Sequence, residues 1–276
     1  MKKQKVTIWI RKEFLILILL ILSSAWALAD DPDARKIMEQ VDARQTGDNR
    51  VAQMEMILTD KNGSQRIRKI QTFIKDKGPD TMSLMFFLTP ADVHKTAFLN
   101  IDYDDPNHDD DQWLYLPALK KTKRIASADK SGSFMGSDMN YSDMTDRELT
   151  DYDYSFYEKG REQVFDNIKT WAIWAIPRSD KVIKETGYEK ELLFVRQDND
   201  VVTRSIGWVE NSPDLKYMTV RQLDIIDGIW VATSMQITRK KGKQTVHKTD
   251  LILDRVKFNQ DLDEGMFSVR QMEKGL

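Results

Sequence analysis

One short loop of the sequence holds residue types that could bind a metal ion. Residues 104–111 read DDPNHDDD and place five aspartates beside His108. Clustered carboxylates can bind a hard cation such as calcium. The loop lacks the ligand order of an EF-hand, which has a central glycine and a terminal glutamate. A solvated hairpin loop is therefore the favoured interpretation, and cation binding by Asp104–Asp111 stays open.

A second stretch, SGSFMGS at residues 131–137, sets serines among glycines. It is not the Gly-x-Ser-x-Gly pattern that places a nucleophilic serine on a sharp turn between a strand and a helix. The only histidines are His94, His108 and His247, too few and too far apart in sequence to indicate a zinc site. We predict no catalytic residue, no metal site and no cofactor, and expect a protein that is not an enzyme. A metal-dependent exported enzyme is a minor alternative.

The first 29 residues are typical of a secretory signal peptide. Basic residues at the start are followed by an apolar stretch from Phe14 to Leu22 and by Ala27-Leu28-Ala29 before an acidic pair. The apolar stretch is much shorter than the roughly 20 residues of a spanning helix. Without cysteine the chain has no disulfide and no site for a lipid-modified cysteine. We expect a soluble periplasmic protein exported with a cleaved signal peptide, residues 1–29.

Charge and organisation exclude some functions for the remaining chain. The net charge is −2 with the cationic leader included, so residues 30–276 are more acidic still. Such a surface does not favour nucleic acid, which attracts accumulated lysine and arginine, and we predict no nucleic-acid partner. The sequence shows no tandem repeat and no linker rich in proline or serine. We predict a single domain over residues 30–276 and a monomer.

Hydrophobic periodicity predicts one helix and many strands. Near the start of the mature chain, Ile37, Met38 and Val41 recur at helical spacing behind a start that contains proline. Most of the later sequence alternates between apolar and polar residues, and turn pairs such as Asn62-Gly63 and Asp227-Gly228 separate the runs. This pattern predicts an α+β fold with a curved antiparallel sheet, an unclosed half-barrel whose concave apolar face is covered by a few helices.

The predicted sheet has more apolar surface than the few predicted helices can cover. Many of its apolar residues are methionines, which adapt to partners of variable shape. Each of them is also consistent with ordinary core. We predict that a lipid-binding cavity is lined by Met54, Met56, Leu58, Met82, Leu84, Phe86, Trp113, Tyr115 and Trp208.

Three stretches of the sequence resemble a known family. DDDQWLYLPALKKTKRI, SGSFMGSDMNYSDM and FNQDLDEGMFS are similar to the outer-membrane lipoprotein-sorting protein family, a branch of the LolA/LolB-like superfamily of periplasmic lipoprotein carriers. The resemblance implies a half-barrel with a helical lid and an apolar cavity that shields lipid chains. Under this fold Trp113–Leu116 is a strand that Pro117 ends, Lys120–Arg124 is a solvated rim, and Phe134, Met135 and Met139 belong to the lid.

The function expected from this resemblance is a carrier that binds lipid or lipoprotein acyl chains and helps to move them toward the outer membrane. Its partners would include an inner-membrane transporter or an outer-membrane acceptor. The alternative is a non-enzymatic periplasmic adaptor that docks on an inner-membrane exporter or envelope protein. Apolar contact alone can hold an acyl chain, since each buried methylene contributes about 0.8 kcal/mol.

We predict that the exported protein begins at Asp30, because Ala27-Leu28-Ala29 has the small residues that signal peptidase requires. N-terminal sequencing of the protein from a periplasmic extract checks this. An intact Met1, or a protein that only detergent extracts, would contradict the prediction.

Overall fold

The computed structural model describes residues 30–276, and one antiparallel sheet of 14 strands contains most of them. In chain order the strands are β1 (Asn49–Asp60), β2 (Gln65–Lys77), β3 (Asp80–Thr89), β4 (Ala97–Asp102), β5 (Asp111–Leu116), β6 (Lys121–Arg124), β7 (Tyr152–Phe156), β8 (Glu162–Phe165), β9 (Ile168–Pro177), β10 (Tyr188–Arg196), β11 (Val202–Val209), β12 (Asp214–Ile226), β13 (Ile229–Lys241) and β14 (Gln244–Phe258).

The sheet is not closed into a barrel. Its spatial order is β6-β5-β4-β3-β2-β1-β14-β13-β12-β11-β10-β9-β7, with β8 paired to β9. Neighbours along this order are consecutive in the chain except where β1 pairs with β14 and where β7 pairs with β9. The two edge strands β6 and β7 do not pair with each other. The predicted α+β half-barrel is confirmed.

Three α-helices accompany the sheet within residues 30–276: α1 (Pro32–Asp42), α2 (Asp180–Thr186) and α3 (Val269–Lys274). The predicted first helix is α1, whose cap residue Asp31 accepts hydrogen bonds from the backbone of Asp33 and Ala34 at 2.9 and 3.3 Å. The strand β8 and the helices α2 and α3 were not predicted.

The inner face of the sheet, defined here as the face that α1 contacts, is covered by two parts of the chain. At one end Ala34 and Met38 of α1 pack with Tyr152, Ile173 and Leu193. Elsewhere the cover is residues 127–149, which we call the lid segment. It contains short 3-10 turns and no strand, as its sequence indicates.

Phe134 holds the lid segment against the inner face. Its side chain is 1% exposed. Its ring centroid lies 5.0 Å from that of Phe98 on β4 and 5.5 Å from that of Tyr141, both in edge-on geometry, an arrangement that adds to the burial energy. The segment containing Phe134 is thus part of the core in this structure.

Polar bonds fix the same segment to two distant strands. Arg68 of β2 donates to the carbonyl oxygen of Met135. The carboxylate of Asp138 accepts from the hydroxyl of Thr249 at 2.7 Å and lies 2.7 Å from Nδ1 of His247, both on β14. Asp138 is buried, and removing its side chain from water is costly unless it has hydrogen-bond partners. Thr249 and His247 provide these partners.

We expect Phe134→Ala to lower the free energy of unfolding by about 3–5 kcal/mol, since it removes a fully buried aromatic ring. Urea denaturation with unchanged m-value measures this loss. The control is Leu119→Ala, at a side chain that is 63% exposed, with an expected change within about 0.5 kcal/mol. A small effect at Phe134 would mean that the ring is not held in the core.

Candidate functional site

A cavity of about 620 Å³ lies between the inner face of β10–β13, α1, α2 and the lid segment. This volume is within the range of small-molecule sites, roughly 300–1,000 Å³. The apolar part of its wall is formed by Leu193, Val202, Met218, Met235 and Ile237 of the sheet, with Met38, Val41, Met139 and Leu149 on the covering side. The sheet therefore supplies an apolar floor beside the charged residues Glu191 and Lys216, and the cover supplies further apolar contacts.

One polar side of the cavity is formed by ion pairs that connect the lid segment to α2 and to the loop before β5. The ammonium of Lys130 lies 3.3 Å from Asp110 and 3.2 Å from Glu185, and its side chain is only 3% exposed. Lys181 forms a more exposed pair with Asp109 at 3.2 Å. A buried lysine needs such partners, because an unpaired buried charge is costly.

A second polar group lies deeper, where the end of the lid segment meets β10. Arg147 pairs with Glu191, and its guanidinium stacks 4.8 Å from the ring centre of Tyr152. Burial lowers the pKa of the Arg147 guanidinium, whereas the negative charge of Glu191 raises it. The net effect is a raised pKa. The pair is charged and partly buried, so loss of either partner would leave an unpaired charge in the wall.

Lys216 of β12 belongs to the same polar group. It donates to the side-chain oxygen of Asn140 at 2.7 Å and to the hydroxyl of Tyr188 at 3.3 Å, and Tyr188 donates to Asp143 at 3.1 Å. Burial lowers the pKa of Lys216, although the carboxylate of Asp143 opposes this effect. The chain of bonds fixes the lid segment to β10 and β12.

Carboxylates without an ion pair lie at the end of α1 and the end of the lid segment. Asp42, Asp146 and Glu148 line the cavity there and form no ion pair within residues 30–276. Burial raises the pKa of each, and for Glu148, with Asp110 and other acids nearby, to about 7. Burial thus favours the neutral, protonated form of these carboxyl groups.

A related carboxyl pair lies beneath the end of the lid segment. Asp102, at the end of β4, accepts a hydrogen bond from the backbone N–H of Asp146 at 2.6 Å. Burial, with the charges of Asp110 and Asp146 close by, raises the pKa of Asp102 to about 8. A carboxyl that is buried near other carboxyls retains its proton to a higher pH.

The structure brings together part of the predicted site. Met54, Met56 and Leu58 lie on the inner face, in one apolar cluster with the predicted lid residues Phe134, Met135 and Met139. Of these six only Met139 lines the cavity. The others form packed core beside it.

The remaining predicted wall residues lie on the outer face and do not line this cavity. Met82, Leu84, Phe86, Trp113 and Tyr115 pack with Phe267 and Met272 at and near α3. Trp208 lies in a separate outer cluster with Trp174. Successive side chains of a strand point to opposite faces, and β3 is buried on both, so apolar character alone does not identify the face.

The cavity residues that sequence analysis missed are mostly charged. Arg147, Glu191 and Lys216 are distant from one another in sequence, and no spacing rule connects them. The helix α2 did have a signal in the sequence, namely capping residues at both of its ends. Ser179 accepts a hydrogen bond from the backbone of Val182, and Gly187 ends the helix with φ of 78°, a conformation that favours glycine.

The acidic loop at residues 104–111 forms ion pairs. Asp109, Asp110 and Asp111 pair with Lys181, Lys130 and Arg124. Within residues 30–276 no group of three or more His, Cys, Asp or Glu side chains is arranged to hold a metal ion. The loop thus contributes to the contacts of the lid segment and α2.

No helix among residues 30–276 has the length and apolar character needed to cross a bilayer. The predicted signal peptide, residues 1–29, lies outside the described residues.

A family model with the description "Uncharacterized protein" matches residues 79–274, more than half of the chain. The chain belongs to this family. No curated protein is significantly similar to the sequence.

Three solved structures are similar over nearly their full length. A DUF1329 family protein from Desulfovibrio piger is 25% identical with a TM-score of 0.79, covering 88% of this chain and 99% of its own. A domain described as an outer membrane lipoprotein-sorting protein, from Vibrio parahaemolyticus, is 29% identical with a TM-score of 0.77, covering 87% and 98%. A LolA superfamily protein from Nitrosomonas europaea shares the fold at 18% identity, with a TM-score of 0.64 and coverage of 86% and 98%. The resemblance predicted from the sequence is confirmed.

We expect Asp102→Asn to stabilise the protein increasingly as the pH rises from about 4 to about 8. The pKa of Asp102 in the folded protein is about 8, above its unfolded value. Folding then retains a proton that the unfolded chain releases, so wild-type stability falls over this range, whereas asparagine keeps the hydrogen bonds without titrating. Urea midpoints of both proteins across this pH range measure the difference. A difference independent of pH, as expected for the exposed control Asp261→Asn, would contradict the prediction.

Proposed function

We propose that this protein is a non-enzymatic periplasmic carrier that holds lipid or lipoprotein acyl chains in the cavity and moves them toward the outer membrane. The observation that carries the proposal is the position of the cavity. It lies on the inner face of an unclosed half-barrel, under α1 and the lid segment, and its floor has a group of apolar side chains beside Glu191 and Lys216. We further propose that residues 30–276 act as one domain with its signal peptide removed.

The composition of the wall supports an elongated apolar cargo. Met218 and Met235 lie on neighbouring central strands and Met139 faces them from the lid segment. Methionine side chains are unbranched and adapt to different shapes, so they suit chains without fixed geometry. An acyl chain of about fourteen carbons would gain on the order of 10 kcal/mol from burial before ordering costs.

The arrangement of polar groups supports carriage over catalysis. Lys130, Arg147 and Lys181 each pair with a carboxylate, and Lys216 donates to neutral oxygens. The bonds of Arg147 and Lys216 connect the lid segment to the sheet, and those of Lys130 and Lys181 connect the lid segment, α2 and the loop before β5. The similarity to a domain described as a lipoprotein-sorting protein and to a LolA superfamily protein agrees with this role.

We expect Met235→Glu to weaken binding of a fluorescent acyl probe by roughly tenfold or more, because it places a carboxylate on the apolar floor. The matched control is Ile252→Glu on β14, at a side chain that is 40% exposed and lies outside the cavity lining. Fluorescence titration measures both, and circular dichroism checks that each variant is folded. Unchanged affinity in folded Met235→Glu would reject the cavity as the binding site. A wild-type protein that binds no acyl probe would reject the carrier function and leave the adaptor alternative.

A further inference from the structure

Exposed basic residues gather at one end of the sheet. The turns β1–β2, β3–β4, β5–β6 and β13–β14 all lie at that end, because their strands are adjacent and antiparallel. The register shows this, since Asp60 at the end of β1 faces His247 near the start of β14, and Phe86 near the end of β3 faces Ala97 at the start of β4. We call these four turns, with the two residues on either side of each, the basic end.

The basic end has many more cations than carboxylates. Its exposed cations are Lys61, Arg66, Lys95, Lys120, Lys121, Lys241 and Lys243. The carboxylates among its residues are Asp60 and Asp92. None of these cations forms an ion pair within residues 30–276, and the ion pairs nearby involve other basic residues of β6, β13 and β14. Carboxylates from elements beside the basic end, Asp129, Asp214 and Glu273, bond to other groups.

The opposite end of the sheet has the reverse character. Its turns and loops carry the exposed acids Asp104, Asp105, Asp227, Asp261 and Asp263. Two cations at this end are already paired, Lys77 with Glu264 and Arg255 with Asp254. The net charge of the whole chain is only −2, so the separation of charge along the strands is larger than the total suggests. A molecule with this distribution turns its basic end toward an anionic surface.

The residue types and the width of the basic end favour a lipid surface over a protein partner. All of its exposed cations except Arg66 are lysines, whereas protein interfaces are enriched in arginine and depleted of lysine. A lysine ammonium is a hydrated point charge on a flexible stem, which suits a fluid array of phosphates. The four turns belong to eight neighbouring strands, which extend over roughly 30 Å of sheet edge at about 4.8 Å per strand.

We propose that the basic end binds the surface of a bilayer that contains anionic phospholipid. The four turns meet the head groups, whose phosphates neutralise the cations together, and the acidic end faces away. A cation near such a surface is attracted by the negative surface potential, which falls off within a Debye length. The inference goes beyond the carrier function and does not depend on it, because no exposed cation of the basic end lines the cavity.

Vesicle sedimentation tests this docking. The purified protein is mixed with vesicles of phosphatidylglycerol and phosphatidylcholine in about equal parts, or with vesicles of phosphatidylcholine alone, in about 0.1 M salt. We expect binding to the anionic vesicles to be at least roughly tenfold tighter than binding to the neutral ones. Salt at about 0.5 M should abolish this difference, because it shortens the range of the attraction.

Matched variants show which lysines are responsible. The basic-end variant combines Lys120→Gln, Lys121→Gln, Lys241→Gln and Lys243→Gln. It should bind anionic vesicles at least roughly tenfold more weakly, since each cation near such a surface contributes about a factor of five. The control makes the same change in charge at exposed lysines outside the basic end, as Lys36→Gln, Lys159→Gln, Lys169→Gln and Lys257→Gln. It should keep most of the wild-type affinity.

Single labels identify the end that contacts the bilayer. The chain contains no cysteine, so one introduced cysteine gives one attachment point for a fluorophore that responds to polarity. The two positions are Asn62→Cys in the β1–β2 turn and Asn107→Cys in the loop before β5, both at exposed residues. Fluorescence should rise with anionic vesicles for the label at residue 62 and stay unchanged for the label at residue 107.

Every outcome supports or overturns the docking inference. Equal binding to anionic and neutral vesicles, equal loss in the two lysine variants, or a response only at residue 107 would overturn it. If no vesicle binds but polyglutamate does, and the basic-end variant loses that binding, the surface recognises acidic protein and the inference is again overturned. Binding of the acyl probe tests the carrier function separately and should be unchanged in both lysine variants, because none of the substituted residues lines the cavity.

Discussion

The rest of the structure depends on covering one face of an unclosed sheet. A barrel buries its inner face by closing, but here β6 and β7 remain unpaired with each other. The apolar inner face must then be buried by other parts of the chain, since exposed apolar area on this scale disfavours the folded state. Phe134 and α1 bury its two ends, and the cavity is the part between them that the cover spans without filling.

Electrostatics determines how the cover is held. Side chains of the lid segment pair with partners on β10, β12, β14 and α2, and several of these groups are buried. Buried pairs contribute less to stability than to fixing one arrangement, because desolvation offsets much of their attraction.

Much of the fold could be predicted because it is encoded locally. Alternation along β1 and the Asn62-Gly63 turn predict a hairpin, and the spacing of Ile37, Met38 and Val41 predicts α1. The face of a strand is harder to predict when both faces are apolar. Met85 and Phe87 face the lid segment while Met82 and Phe86 face α3, and nothing in the composition of β3 distinguishes them.

The site was less predictable for a related reason. Arg147, Glu191 and Lys216 meet only because β10 and β12 lie under the lid segment, a consequence of sheet topology with no local signature. The acidic loop at residues 104–111 was interpreted as a solvated hairpin with cation binding left open, because its ion-pair partners Lys130 and Lys181 come from later elements. The family resemblance therefore led to the expectation of a carrier, whereas the position of the cavity required the fold.

The central claim is that the cavity holds acyl cargo, and extraction of the native protein tests it most directly. The protein is purified without detergent from its producing cell, extracted with organic solvent and analysed by mass spectrometry, beside the Met235→Glu variant prepared in the same way. The account predicts acyl lipids in stoichiometric amount with the wild-type protein and a marked loss in the folded variant. Wild-type protein without lipid, or equal lipid in both, would contradict it.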